Sequence, residues 1–143
     1  MPAVIAWIAA FNTLVFLALA GLHAYWALGG RRGLAAALPT HPNSSRPLSP
    51  SAGLTGAVAL GLLAFGGLSA AHLGFGSGPL AGWLRLADGA LAAVLALRAV
   101  GDFRYVGLSK RIRHTTFARR DTRYYTPLCL LLATGCARLA AGA

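Results

Sequence analysis

The sequence predicts an all-α fold, a single transmembrane bundle of four helices. Of the 143 residues, 57% are hydrophobic and 18 more are glycine, whereas soluble domains are about 45–50% apolar with glycine included. Only 11% are charged, against a usual ~25%. A soluble domain of this size buries about two thirds of its unfolded surface, too little to cover this apolar content. These values exclude a soluble enzyme, a soluble nucleic-acid-binding module and a disordered chain.

Four segments are long and apolar enough to cross the hydrocarbon core, which takes about 20 helical residues. Lipid offers the backbone no hydrogen-bond partner, so these segments must be helical. The first segment is uncharged and lacks the basic start of a signal peptide, so we expect a retained helix. The third contains Asp88 and Arg98, and the fourth is the shortest. The predicted spans are about residues 4–28, 52–76, 82–100 and 124–142, with a basic loop at residues 101–123.

The basic residues predict the orientation of these helices. Residues 29–51 contain three arginines, residues 101–123 contain seven basic residues, and the short connection at residues 77–81 contains none. Lysine and arginine accumulate in loops on the cytoplasmic side of a membrane. We therefore expect both basic loops inside the cell and both termini outside. Tryptophan and tyrosine residues near the ends of the spans agree with this placement, because they favour membrane interfaces.

Polar residues within the spans fall into two layers, judged by a helical rise of 1.5 Å per residue. Ionisable groups at membrane depth are costly and need a partner. His72 and Asp88 lie at one depth on adjacent antiparallel helices, so a hydrogen bond between them would satisfy both. Arg98 and Asp102 are four residues apart, which favours an ion pair. The outer layer contains Asn12, His72 and Asp88, and the inner layer contains His23, Arg98 and Asp102.

Each layer has a structural and a functional interpretation. His72 and Asp88 form a buried polar clamp, or Asp88 extends outward beside Arg85, or the pair is a proton- or cation-binding site that opens to the outside. Arg98 and Asp102 either anchor the inner helix end or take part in binding or in a proton relay. Haem held by a single histidine is a further possibility, but His23 and His72 lie at opposite depths and cannot ligate one iron. No other cofactor and no metal ion is expected, because no three ligands converge at one depth.

The loop at residues 101–123 alternates arginines with aromatic residues just below two helix ends. This composition suits anionic lipid headgroups, which attract each nearby Lys or Arg by about 1 kcal/mol. The loop either only obeys the positive-inside rule or binds an acidic ligand, and Asp121 is placed to pair with a neighbouring arginine. The candidate ligand-binding residues are His23, Trp26, Arg98, Asp102, Arg104, Tyr105, Arg119, Asp121, Arg123 and Tyr124.

Three runs of residues resemble a known family. These runs are HAYWALGG at residues 23–30, RAVGDFRYVG at residues 98–107 and FARRDTRYYTPLC at residues 117–129. They are similar to the domain-of-unknown-function family 3995, a family of small bacterial four-helix membrane proteins. The resemblance implies a multi-pass protein of the bacterial inner membrane, and it assigns no reaction to the candidate residues.

These observations favour a non-enzymatic accessory protein that binds an anionic lipid headgroup or a partner protein through its cytoplasmic arginine and tyrosine residues. The expected partners are membrane lipids, a second copy of the chain or another membrane protein, and no nucleic acid. One alternative is a transporter of protons or a small solute that uses the intramembrane histidine and aspartate residues. A further alternative is a membrane oxidoreductase that depends on haem or quinone.

Overall fold

The computed structural model describes residues 2–39, 50–76 and 78–142. These residues form helices and connecting segments without any strand, which confirms the all-α prediction. A π-helical turn, Asp121–Tyr125, joins the last two helices. The helices are α1 (Ala3–Ala27), α2 (Leu34–Ala37), α3 (Ala52–Phe75), α4 (Ala81–Val100), α5 (Thr116–Arg120) and α6 (Thr126–Ala141).

Two of these helices, α1 and α3, are long and apolar enough to cross a membrane. Only 28% of the apolar window of α1 and 22% of that of α3 is buried inside the protein. Leu14 and Leu60 are among the large side chains that face outward. Exposed apolar surface on this scale marks contact with lipid or another protein, so the two helices indicate membrane association. The sequence predicts two more spans. By length and composition α4 and α6 do not qualify, because α4 contains three charged residues and α6 has only 16 residues.

The long helices pack in two pairs, α1 along α3 and α4 along α6. The pairs meet where α1 contacts α6 and where α3 contacts α4. Phe16 of α1, Leu91 of α4 and Leu132 of α6 are buried together in an apolar layer between the helices. Polar side chains lie on both sides of this apolar layer, as the sequence predicts.

The segment that precedes α6 differs from the predicted loop. A loop was expected up to residue 123, whereas helical structure begins with α5 and continues through the π-helical turn into α6. The Thr115 side chain caps the start of α5. Pro127 follows the turn, and it has no N–H for the carbonyl four residues before it. The Thr126 N–H instead donates to the Asp121 carbonyl, five residues back, so the wider turn carries the helix past the proline.

Candidate functional site

Asp121 is the centre of a buried ionic network between α4, the connecting segment and α6. Lys110 is buried with it, with 3% of its side chain exposed. The network ties the connecting segment, residues 101–123, to both helices. The Asp121 carboxylate accepts hydrogen bonds from Arg98 Nη2 (2.8 Å), Lys110 Nζ (2.9 Å), the Gly107 N–H (2.8 Å) and Thr126 Oγ1 (3.2 Å).

The ionic network carries an excess of positive charge. Burial by itself raises the pKa of Asp121, but the hydrogen bonds from Lys110 and Arg98 outweigh it and hold the pKa below its ordinary value of 3.8. Asp121 is therefore an anion at neutral pH, and two cationic side chains surround it. The Nη1 atom of Arg98 is buried and has no hydrogen-bond partner among the residues that the structure describes. The network thus retains capacity for a further acceptor on its cationic side.

Arg98 and Asp102 do not form the ion pair that their spacing predicts. Arg98 pairs with Asp121 instead. The reason is that α4 ends at Val100, and Gly101 leaves the helix with a φ of +96°. An i, i+4 relationship holds only within a continuous helix, so Asp102 lies off the helical face that carries Arg98.

Asp102 organises the turn that follows α4. Burial opposes the charged form of Asp102, but backbone N–H donors outweigh it and hold its pKa below 3.8. The turn ends at Gly107, whose φ is +81° and where a Cβ would lie 2.6 Å from a carbonyl oxygen of α4. The turn is therefore a fixed structure. Asp102 Oδ1 accepts hydrogen bonds at 2.7–2.9 Å from the N–H groups of Arg104, Tyr105 and Val106.

The other arginines of the connecting segment lie on its surface. Arg104 stacks over the Tyr105 ring at 5.2 Å, and Arg123 stacks over the Tyr124 ring at 5.5 Å. A pocket of about 520 Å³ opens beside Arg104 and is lined by Asp102, Phe103, Arg104, Arg111 and Ile112. We call the exposed arginines of this segment the basic surface; they are Arg104, Arg111, Arg113, Arg119, Arg120 and Arg123.

His23 and Trp26 lie at the end of α1, and none of their described contacts joins them to Asp121. His23 Nδ1 lies 2.8 Å from the Leu19 carbonyl oxygen, and its ring packs edge-to-face against Trp26 at 5.1 Å. Trp26 Nε1 donates to the Arg32 carbonyl oxygen at 2.9 Å. These contacts fix the conformation of the chain at the C-terminal end of α1. The structure therefore divides the predicted inner layer into the Asp121 network and a separate local arrangement on α1.

Lys110 and Thr126 are the network residues that sequence reasoning missed. Lys110 is the one lysine among 13 basic residues. That isolation is the signal that could have found it, because a flexible ammonium group can reach a buried carboxylate where a planar guanidinium does not fit. Nothing in the sequence singles out Thr126, because its contact depends on the π-helical turn.

A second polar cluster lies on the other side of the apolar layer. His72 Nε2 lies 2.5 Å from Asp88 Oδ2, which confirms the contact expected from their depths on adjacent helices. Asn12 Nδ2 donates to Cys136 Sγ at 3.5 Å, and the Cys136 thiol lies beside the Asp88 carboxylate. The helices α1, α3, α4 and α6 each contribute a buried residue. We call this set the histidine–aspartate cluster: Asn12, Ser69, His72, Asp88 and Cys136.

The described residues restrict how the two polar sites can act together. The apolar layer of Phe16, Leu91 and Leu132 separates the histidine–aspartate cluster from the Asp121 network.

Both cysteines are free. Within residues 2–39, 50–76 and 78–142, no three His, Cys, Asp or Glu side chains converge on a possible metal position.

The described residues form a small all-α protein with two helices long and apolar enough to cross a membrane and with two buried polar sites. The chain belongs to the family described as Protein of unknown function (DUF3995), whose model matches residues 16–136. This match confirms the family resemblance seen in the sequence, and it includes His72, Asp88 and Asp121. No curated protein and no solved structure matches the chain.

Proposed function

We propose that this chain is a four-span membrane protein that binds anionic phospholipid headgroups through the basic surface of its connecting segment. The observation that carries the proposal is the burial of Asp121 between Arg98 and Lys110. This carboxylate holds the segment in one shape and is itself inaccessible. The arginines of the basic surface remain accessible to anions from outside the protein.

The proposed membrane placement adds α4 and α6 to the two apolar helices. The charged Asp88 and Arg98 of α4 contact His72 and Asp121, while Leu86, Val94 and Leu97 of α4 are exposed. Asp88 and Arg98 with partners inside the protein, and apolar side chains turned outward, are the arrangement that lipid requires. The fourth span, about residues 124–142, contains the end of the π-helical turn and all of α6, and it leaves Asp121 and the basic surface outside the hydrocarbon core.

The orientation proposed for the chain follows the positive-inside rule. The basic surface then lies at the cytoplasmic face, and the histidine–aspartate cluster lies toward the outside. The family resemblance supports the bacterial inner membrane as the location. Anionic lipids on the cytoplasmic leaflet attract basic segments close to the surface.

The pocket beside the turn supplies the contacts that a headgroup needs. Arg104 and Arg111 line it, and a guanidinium group can donate two parallel hydrogen bonds to one phosphate. Phe103 is 64% exposed and Leu108 is 59% exposed. These apolar side chains are suited to enter the boundary between headgroups and acyl chains while the arginines hold phosphate.

Lipid retained during purification tests the proposal. The chain is purified in mild detergent from bacterial membranes, and its bound lipids and proteins are identified by mass spectrometry. We expect anionic lipid on the wild type and on Arg138→Ala, a matched loss of an exposed arginine far from the basic surface. We expect the Arg104→Ala/Arg123→Ala variant to lose it. Equal lipid on all three proteins, or a bound partner protein in place of lipid, would overturn the proposal.

A further inference from the structure

A pocket of about 380 Å³ opens at the end of the helices that lies away from the basic surface. Its walls include the apolar side chains Ile5, Ala81 and Leu139, and its polar side chains are His72 and Arg85. His72 is 4% exposed, so the imidazole forms part of the inner wall. The pocket therefore leads from solvent to the histidine–aspartate cluster.

Three oxygen atoms of the cluster are buried and have no hydrogen-bond partner among the described residues: Asn12 Oδ1, Ser69 Oγ and Asp88 Oδ1. A buried polar atom left without a partner costs about 1–3 kcal/mol, so such atoms are normally met by protein or by ordered water. These three buried oxygens therefore indicate a position where water or a proton can bind.

Among the described residues, Asp88 has no permanent counter-charge. Its ion-pair partner there is His72, which is cationic only when it is protonated. The cation nearest in sequence, Arg85, lies against Gly142 at the end of α6. The cluster side chains from α1 and α6 are Asn12, which does not titrate, and Cys136. An anion buried without a cation is strongly unfavourable, so electroneutrality requires one proton on the His72–Asp88 pair.

We propose that the His72–Asp88 pair is an exchangeable proton-binding site, reached by water through this pocket and closed on its other side. Phe16, Leu91 and Leu132 form the closure, because these apolar side chains are buried together between the cluster and the Asp121 network. The site is chemically separate from the headgroup contacts of the basic surface. Either proposal can therefore fail without the other.

Carbodiimide labelling tests for the bound proton. Dicyclohexylcarbodiimide reacts with a protonated carboxyl group: the carboxyl oxygen adds to the carbodiimide carbon, the proton moves to nitrogen, and rearrangement gives a stable N-acylurea without loss of any atom. The chain has only three acidic side chains, Asp88, Asp102 and Asp121. Peptide mass spectrometry therefore assigns each adduct to a position.

We expect folded wild-type protein to be labelled at Asp88 and not at Asp102 or Asp121, whose charges are held by hydrogen bonds. Labelling falls about tenfold per pH unit above its midpoint, the slope of a site that binds one proton. Asp102→Asn keeps the adduct, and Asp88→Asn removes it. Absence of an Asp88 adduct at every pH, with unfolded protein labelled as a positive control, would overturn the proposal.

A second measurement tests the route through the pocket. A charged, water-soluble carbodiimide replaces the apolar reagent, and Ala81→Phe fills the pocket wall. Ala93→Phe places the same side chain on an exposed part of α4, away from the pocket. We expect slower labelling of Asp88 in Ala81→Phe and an unchanged rate in Ala93→Phe. Equal rates in both variants would overturn access through the pocket.

Discussion

The Nζ atom of Lys110 lies 2.9 Å from Oδ2 of Asp121, and neither side chain is more than 3% exposed. The same ammonium group donates to the Gly107 carbonyl oxygen at 2.9 Å. One lysine therefore joins the turn after α4 to the π-helical turn that precedes α6. Its desolvation is compensated by two acceptors, which is the condition for a buried charge to be tolerated.

Replacing Asp121 removes the common partner of this network. Asp121→Ala leaves Lys110 buried without a carboxylate, and we expect the free energy of unfolding to fall by about 3–5 kcal/mol. The measurement is reversible unfolding in mixed micelles, followed by circular dichroism. Asp102→Asn is the control, because an amide oxygen can still accept from the backbone N–H groups of the turn. Equal destabilisation by the two substitutions would contradict the central place of Asp121.

The low pKa of Asp121 predicts how stability depends on acidity. A carboxyl whose pKa is lower in the folded state than its ordinary 3.8 contributes stability fully above that value. The contribution is lost as the pH falls through the folded-state pKa. The stability difference between wild type and Asp121→Asn should therefore be constant from neutral pH to about pH 4 and shrink below it. A difference that grows on acidification would contradict this assignment.

Gly107 permits the close approach of the turn to α4. Its φ of +81° is unfavourable for other residues, and a Cβ would lie 2.6 Å from backbone atoms. We expect Gly107→Ala to lower the free energy of unfolding by about 2–4 kcal/mol. Gly67→Ala is the matched control, because this α3 glycine has open space around it and alanine favours helix by about 0.5–1 kcal/mol. Destabilisation of similar size at both positions would be evidence against a fixed turn.

Gly135 and Asn12 are coupled across the contact of α6 with α1. A Cβ at Gly135 would lie 2.6 Å from Asn12 Oδ1, so Gly135→Ala forces the amide out of place. Asn12→Ala removes the obstacle. A double-mutant cycle should show that Gly135→Ala costs less in the Asn12→Ala background, with a coupling of about 1 kcal/mol or more. Additive effects would show that the two residues do not meet.

The parts of this structure that the sequence predicts are those that depend on local pattern. Long apolar runs place α1 and α3, and depth along adjacent helices brings His72 to Asp88. Both predictions need only helical geometry and the order of neighbouring segments. For the same reason, the apolar layer lies between the two polar sites, as the positions of the polar residues along the helices predict.

The remaining contacts depend on where the chain turns, which the pattern does not contain. Arg98 reaches Asp121 rather than Asp102 because Gly101 ends the helical register. Thr126 reaches Asp121 because the π-helical turn changes the register ahead of Pro127. The folded chain also places the Cys136 thiol between Asn12 and the Asp88 carboxylate, a contact that depends on how α6 packs against α1 and α4.

Binding of anionic headgroups at the basic surface is tested most directly by a fluorescent reporter inside the pocket. The three native tryptophans are replaced by phenylalanine, and Phe103→Trp places one indole beside Arg104 and Arg111. The protein is reconstituted with brominated lipid, either anionic or zwitterionic, at equal mole fraction. We predict stronger quenching by the anionic lipid, and loss of that difference in Arg104→Ala/Arg111→Ala. Equal quenching by both lipids in the unsubstituted reporter would contradict the proposed function.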